Sequence, residues 1–185
     1  MIILAAGVLL FVLLHGVAAV PRYKSYVKSR TGERWYGPVF GLASVLAIAV
    51  IVLGWRSSSF VAVYDPPAWG WYVNYGLTFI AFLCVGIFLF RGSLRQRLGF
   101  PMAIATVFWA AGHLFANGDL ASLILFGGLL VGSVVHVAVA MANGIRPTPE
   151  VRAGHNGLSL IFGAALYGIM TQLHPAIIGV PIFAL

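Results

Sequence analysis

The sequence has very little cysteine and very little acid. Cys84 is its one cysteine, so the chain forms no intrachain disulfide, builds no thiolate metal cage and has no CxxCH motif for covalent heme attachment. Only 4 of the 185 residues are Asp or Glu. The sequence has no paired carboxylates, nucleophile elbow, phosphate loop or HExxH zinc motif. Hydrolase and kinase chemistry therefore have no support.

Charge of either sign is scarce, and apolar residues dominate. Charged residues make up 8% of the chain, hydrophobic residues 61%, and the mean hydropathy is +1.00. These values are typical of an integral membrane protein. The net charge of +7 comes without a basic stripe interleaved with aromatic residues. It therefore indicates orientation in a lipid bilayer and contact with anionic headgroups, and not nucleic-acid binding.

Six apolar runs predict transmembrane helices, because about 20 residues of apolar helix cross the hydrocarbon core. The fourth run is short, but it opens with Pro101, which the first turn of a helix tolerates. The first run has no basic leader and is too long for a signal peptide. Without an alternating strand pattern, residues 1–185 are predicted to form one all-α domain, a membrane-embedded bundle. The runs are 2–20, 37–55, 71–90, 101–116, 119–142 and 157–173.

The basic residues predict the orientation of this bundle. Ten of the 11 Lys and Arg residues lie in the loops 21–36, 91–100 and 143–156, whereas Arg56 lies on the other side. Since basic loops stay in the cytoplasm, we expect six spans with both termini on the outer, periplasmic side. The tail 174–185 is expected to pack at the outer interface, with His174 at the end of the last helix. Its expected neighbours are Asp65, Pro66, Pro67, Trp69 and Trp71.

Three histidines fall at membrane depth, namely His15, His113 and His136. Ionisable groups are costly there, so each is a candidate functional residue. One interpretation is helix packing, in which Gly128 and Gly132 precede His136 at i+4 spacing and the imidazole bonds a neighbour's carbonyl. The same face would also admit a flat ligand. Three such histidines in one small bundle favour cofactor ligation, because neutral imidazole is a common ligand of heme iron.

Four further residues have predicted roles. Arg22 and Arg34, at the inner rim, are candidates to meet heme propionates, and the alternative is that they anchor the chain to lipid headgroups. Asp119 is expected to cap the N-terminus of the fifth helix, where its carboxylate would accept free amide hydrogens. His155, in an inner loop, is interpreted as a surface residue. No residue is assigned a catalytic role.

One stretch also resembles a known family. WAAGHLFANGDLASLILFGG, residues 109–128, is similar to the central signature of the NnrU family of bacterial membrane proteins, relatives of the plant and cyanobacterial 15-cis-zeta-carotene isomerase. The other matching pieces cover nearly the whole chain in order. They are His15 with Gly16, residues 32–55, the run Pro66, Pro67, Trp69, and residues 174–180.

This resemblance implies a six-helix protein of the bacterial inner membrane. From the isomerase branch it implies a non-covalent heme b with His15 and His113 as axial ligands, whose iron acts as a Lewis acid in cis-to-trans isomerisation of a polyene. The NnrU branch is associated with nitric oxide and denitrification. The family usually has Arg-His-Pro before the fourth span, where this chain has Gly99, Phe100 and Pro101.

Helix geometry leaves the partner of His15 open. A rise of about 1.5 Å per residue places His15 and His113 roughly 10 Å apart in depth. His136 lies closer to the depth of His15. The spacing therefore favours the pair His15 and His136, whereas the resemblance favours His15 and His113.

Two functions follow from these features. The leading hypothesis is a heme b-binding membrane protein with a redox or isomerisation role on a lipid-soluble ligand such as a carotenoid. If it is an enzyme, it is a heme-dependent cis-trans isomerase. The alternative is a cofactor-free accessory subunit that packs against a larger membrane complex or against another copy of itself.

Overall fold

Within the part of the chain that the structure describes, five helices are long and apolar enough to cross a membrane, and a shorter apolar helix of 16 residues lies between the third and the fourth of them. The computed structural model describes residues 1–147, 150–179 and 182. The predicted all-helical architecture is confirmed for these residues, where the β pairing is limited to one isolated bridge between Ala62 and Asp119. The helices are α1 (Ile2–Ala19), α2 (Pro21–Thr31), α3 (Glu33–Arg56), α4 (Gly70–Leu89), α5 (Ser93–Leu98), α6 (Pro101–Ala116), α7 (Leu120–Ala142) and α8 (His155–Ile178).

The prediction that His174 ends the last helix is wrong, because α8 continues through Pro175 to Ile178. A proline inside a helix lacks the N–H that would bond the carbonyl one turn earlier. The next turn is intact, since the Gly179 N–H donates to the Pro175 carbonyl at 2.9 Å. The helix ends at Gly179, whose φ of +86° is a conformation that suits glycine.

The tail was predicted to pack at the outer interface, and the structure describes part of it. Residues 180, 181 and 183–185 lie outside the described residues. At residue 182 the backbone carbonyl of Ile182 accepts a hydrogen bond from the Tyr75 hydroxyl, at 2.7 Å. This contact joins the tail to the first turns of α4.

The long helices pack as a curved row in the order α3, α1, α7, α6, α4, α8. Small residues allow close approach within the row. A Cβ on Gly54 would collide with the backbone of Leu4, so α3 and α1 touch along their backbones. In the same way, a Cβ on Gly86 of α4 would collide with the Ser159 carbonyl of α8. Without water to drive burial, such contacts hold membrane helices together by van der Waals packing.

Contacts between helices fix their relative directions. Gly128 and Gly132 of α7 lie against Val8 and Val12 of α1, so these two helices run parallel. α6 runs antiparallel to α4, because Gly70, at the start of α4, lies against the end of α6. The chain therefore reverses its direction an even number of times between α1 and α7, because an odd number of reversals would make these two helices antiparallel.

Two of the basic loops, 91–100 and 143–156, are joined to each other by hydrogen bonds. The Arg152 N–H donates to the Arg91 carbonyl at 2.7 Å, and the Leu94 N–H donates to Asn156 Oδ1 at 3.1 Å. His155 takes part as well, since its Nδ1 accepts the Arg91 N–H at 3.1 Å. Two of the three basic loops therefore lie at the same end of the bundle.

Substituting Gly86 with Ala should destabilise the protein. Its Cβ would meet the Ser159 carbonyl, and overpacking of this kind lowers the free energy of unfolding by about 1–3 kcal/mol. Gly76→Ala, on the same helix, is the matched control, since a Cβ there meets nothing within 4 Å. Thermal unfolding in mild detergent measures both variants. Equal melting temperatures for the two would contradict close α4–α8 packing.

Candidate functional site

An apolar cavity of about 490 Å³ lies inside the curved row of helices. All six long helices contribute to its lining, including α3 and α8 at the two ends of the row. Its size and apolar walls are those of small-molecule and cofactor sites. The lining residues are Phe11, Ile48, Ile51, Val52, Trp55, Arg56, Trp71, Asn74, Tyr75, Thr78, Phe82, Thr106, Trp109, His113, Asn117, Leu125, Phe126, Leu129, Tyr167, Met170, Thr171, His174, Ile177, Ile178 and Ile182.

The lining residues of α8 and α6 follow helical spacing. On α8 the lining positions include 167, 170, 171, 174, 177 and 178, which share one face of the helix. On α6 they are 106, 109 and 113, and Asn117 follows one turn later. Sequence periodicity could not single out these faces, because the lipid-facing sides of the same helices are also apolar.

His113 presents one ring nitrogen to this cavity. Its Nδ1 lies 2.8 Å from the Trp109 carbonyl, and because a carbonyl only accepts, Nδ1 carries the hydrogen. In the neutral ring the lone pair is then on Nε2, which has no hydrogen-bond partner among the described residues. The ring is stacked on Phe126, with centroids 4.4 Å apart. His113 can therefore bind a metal or accept a hydrogen bond from a ligand.

A π-helical turn in α7, Leu123–Gly127, carries Phe126 to this position. Such turns insert one residue into an α-helix and are frequent at functional sites. The preceding turn begins at Asp119, and the predicted N-cap is confirmed. Asp119 Oδ1 accepts the Ser122 N–H at 3.0 Å, and Oδ2 accepts the Ser122 hydroxyl at 2.5 Å. The Asp119 cap sets the residue at which α7 begins, and the π turn places the Phe126 ring against His113.

His174 lies on the cavity face of α8. The sequence reasoning assigned it no ligand role, because Pro175 was interpreted as a helix end. A signal was nevertheless present, since His174 continues the spacing of Tyr167 and Thr171 along one helix face.

His15 and His136 lie elsewhere. His15 donates from Nδ1 to the Phe11 carbonyl at 2.9 Å, and its ring stacks on Phe11 with centroids 4.1 Å apart. His136 donates from Nδ1 to the carbonyl of His15 at 3.0 Å. Neither ring lines the cavity. The structure thus brings His136 against the carbonyl of His15, whereas His113 and His174 line the cavity.

The glycine face of α7 is occupied by α1. A Cβ on Gly128 would lie 2.6 Å from Val8 Cγ1, and a Cβ on Gly132 would lie 2.5 Å from Val12 Cγ2. A flat ligand therefore has no room on this face. The packing interpretation accounts for both glycines and for the hydrogen bond of His136.

The predicted propionate partners lie on α2 and at the start of α3. Arg22 is exposed on α2, and the exposed Arg34 guanidinium lies over the Trp35 ring, 5.9 Å from its centroid. Neither lines the cavity, whereas Arg56, at the C-terminal end of α3, does. Among the described residues no three His, Cys, Asp or Glu side chains cluster as ligands for a metal ion. A heme iron needs only one or two protein ligands, so the lack of a three-residue cluster concerns sites for bare metal ions and not sites for heme.

A family model described as NnrU protein matches residues 3–182, nearly the whole chain. The chain belongs to the NnrU family. No curated protein and no solved structure matches it. Together with the apolar helices, family membership makes this NnrU protein a multi-pass membrane protein.

The C-terminal end of α6 in this NnrU protein is held by the loop that follows α3. The Val63 and Tyr64 N–H groups both donate to the Gly118 carbonyl, at 2.8 and 3.0 Å. The Tyr64 hydroxyl reaches the carbonyls of Leu114 and Asn117, which the end of a helix leaves without partners. Burial and the nearby Asp119 carboxylate raise the pKa of Tyr64 above its ordinary value. The loop thus stabilises the last turn of the helix that carries His113.

Tyr64→Phe should lower the free energy of unfolding by about 1 kcal/mol near neutral pH, because it removes a hydrogen bond to the end of α6. The native pKa of Tyr64 is raised, so the hydroxyl's contribution is fully present below the unfolded value of about 10 and is lost as the pH rises through the native value. The stability difference between the two proteins should therefore shrink at strongly alkaline pH. Thermal unfolding at pH 8 and above pH 10 measures it.

Tyr23→Phe is the matched control, since Tyr23 lies exposed on α2. A Tyr64→Phe protein whose melting temperature equals that of wild type at pH 8 would contradict a role for this hydroxyl in holding α6.

Proposed function

We propose that this NnrU protein binds one heme b non-covalently in the cavity, where the His113 imidazole would hold the iron. The observation that carries the proposal is the Nε2 atom of His113. It bears a lone pair in the neutral ring, has no hydrogen-bond partner among the described residues and belongs to a side chain that lines an apolar cavity of about 490 Å³.

The surroundings of His113 suit this role. Metal-ligating histidines commonly donate their other ring N–H to a carbonyl, which fixes the tautomer and the ring orientation, and Trp109 supplies that carbonyl. Aromatic and aliphatic walls would hold the macrocycle and exclude water. Arg56 offers a positive charge to the carboxylates of a heme in this cavity. Arg22 and Arg34 stay candidates for a heme bound nearer the inner end.

When bound, heme supplies an iron that can change redox state and act as a Lewis acid. The chain's own contribution is to position a ligand beside it in a dry environment. The lining contains Asn74, which is buried and whose Oδ1 accepts the Thr78 hydroxyl at 2.9 Å. The side chains described here include no paired acid and base in the cavity. The protein therefore acts by binding and orientation, not by proton transfer from its side chains.

The substrate class we infer is a lipid-soluble, elongated apolar molecule such as a polyene. The row of helices ends at α3 and α8, which both line the cavity, so we place ligand entry from the bilayer between them. Cis–trans isomerisation of a polyene is the reaction that the resemblance to zeta-carotene isomerase favours. A role in nitric oxide or denitrification physiology requires the same heme site.

We also propose that six helices cross the inner membrane, with both termini outside. The parallel packing of α1 and α7 and the antiparallel packing of α4 and α6 support a crossing by the short α6. The inner loops carry ten of the 11 basic residues, as cytoplasmic loops do.

Reporter fusions test this topology. An alkaline phosphatase fused after Ser59 or after residue 185 should be active, because both points are expected in the periplasm, where the enzyme folds. The same enzyme fused after Arg97 or Gly144 should be inactive. If α6 does not cross, the fusions after Ser59 and after residue 185 will report opposite sides of the membrane.

The heme itself is tested by spectroscopy of the protein purified in mild detergent. A reduced-minus-oxidised spectrum and a pyridine hemochrome assay should show b-type heme, near one per chain. His113→Ala should lose the heme or convert it to a spectroscopically different form. His155→Ala is the matched histidine control, since this residue joins the inner loops and lies outside the cavity.

A protein that stays colourless after reconstitution with hemin would overturn the proposal. The cofactor-free accessory subunit would then be the better account, and the protein should co-purify with a larger membrane complex.

A further inference from the structure

We propose that the apolar ligand of the cavity carries a hydrogen-bond acceptor, in its simplest form a carbonyl oxygen, and that Asn74 of α4 binds this oxygen. The inference rests on the lipid-soluble ligand of the proposed function, not on the heme, and names the polar group of that ligand. It departs from the pure hydrocarbon that the resemblance to zeta-carotene isomerase favours.

Asn74 is a buried polar side chain with unused hydrogen-bond donors. Among the described residues the buried polar side chains are Asn74, Ser122 and Ser159. The two serines donate their hydroxyl hydrogens to Asp119 and to the Asn156 carbonyl, at 2.5 and 2.7 Å. Neither N–H of the Asn74 amide has a partner among the described residues, although the residue is only 8% exposed. Because an unpaired amide is costly in apolar surroundings, an acceptor on a ligand would stabilise it.

The oxygen of the same amide is already used within the protein. Asn74 Oδ1 accepts the Thr78 hydroxyl at 2.9 Å. It also lies against Gly112 of α6, where an added Cβ would be 2.8 Å from it. These contacts orient the amide and leave its nitrogen for a ligand. In the described part of the chain every side-chain nitrogen or oxygen that is sealed from water has a partner, so the unpartnered Nδ2 is accessible, and Asn74 lines the cavity.

Other polar side chains of the lining donate their hydrogens to backbone carbonyls. The Thr106 hydroxyl donates to the Met102 carbonyl at 3.1 Å. Asn117 donates from Nδ2 to the His113 carbonyl at 2.9 Å. Asn74 is therefore the buried lining residue with amide hydrogens to offer. A carbonyl only accepts, so it would pair with this amide without bringing a hydrogen that needs a partner of its own.

Two polyenes that differ in one group test the inference, namely all-trans-retinal, which ends in an aldehyde, and axerophthene, in which a methyl group replaces that aldehyde. Quenching of tryptophan fluorescence measures their binding in mild detergent, since Trp55, Trp71 and Trp109 line the cavity. We expect wild type to bind retinal about tenfold more tightly, as one hydrogen bond allows. Lys24 and Lys28, the two lysines of the chain, lie on α2 and do not line the cavity, so Schiff-base formation does not explain a preference.

Asn74→Leu keeps the branched shape of the side chain and removes its donors. This variant should lose the preference for retinal and keep the wild-type affinity for axerophthene. Thr106→Val is the matched control, because it also removes a polar group of the lining, but one whose hydrogen is used within α6. It should keep the wild-type preference.

The infrared carbonyl stretch of bound retinal is a second measurement, and in wild type it requires no variant to fold. A hydrogen bond should lower its frequency relative to retinal in empty detergent micelles, and Asn74→Leu should abolish that shift.

Equal affinities of wild type for the two polyenes, or a preference that survives in Asn74→Leu, would overturn the inference. Uptake of neither polyene would overturn the lipid-soluble ligand of the proposed function, and this inference with it. A protein that prefers retinal but binds no hemin would contradict the heme alone, so the failures are distinguishable.

Discussion

Inside a bilayer, polar groups have no water to bond, so each must find its partner within the protein. In this chain the constraint governs the histidines. His15, His113 and His136 each donate Nδ1–H to a backbone carbonyl, two of them to the residue one turn earlier and His136 to a neighbouring helix. The hydrogen on Nδ1 forces the lone pair onto Nε2 in the neutral ring. What differs among them is what Nε2 can reach.

That difference is set by the contact between α1 and α7. Val8 and Val12 fill the space left by Gly128 and Gly132, and this contact locks the two helices in parallel register. The register places His136 beside the carbonyl of His15 and leaves no gap for a ligand between the two helices. It also leaves Phe126 of α7 facing α6, where it stacks on His113. One side of α7 is packed against α1, and the cavity lies on the side of α7 that carries Phe126.

Local features of the sequence were sufficient for the apolar helices, because length and hydropathy decide which segments suit a bilayer. The polar helices α2 and α5 were predicted as loops, since hydropathy does not mark them. The Asp119 cap was likewise predictable, since a cap depends on a few adjacent residues. The π turn was not, because nothing in LILFG distinguishes it from an α-helix of the same composition. The continuation of α8 past His174 was missed because Pro175 is a frequent end signal, yet one proline removes a single hydrogen bond from a helix.

Which histidines meet was beyond the sequence for a different reason. Pairing depends on the order of helices in the bundle, and membrane helices are apolar on the lipid side and the protein side alike, so their periodicity does not reveal neighbours. The glycine face of α7 illustrates this, since small residues suit a flat ligand and a neighbouring helix equally well. The simple ruler along each helix nevertheless indicated that His15 lies nearer the depth of His136 than that of His113, and the hydrogen bond between α7 and α1 agrees.

The arrangement also explains how a bundle of this size can hold a cavity at all. A closed bundle of six helices would fill its own centre with side chains. Here the most extensive helix contacts form a row that ends at α3 and α8. These two helices both line the cavity but do not pack along each other. α3 carries Arg56 and α8 carries His174. Together with His113, these are the lining residues that have basic side chains. The rigid part of the row holds His113 through Trp109, Phe126 and the Tyr64 loop. A ligand bound between α3 and α8 would itself complete the packing of the bundle.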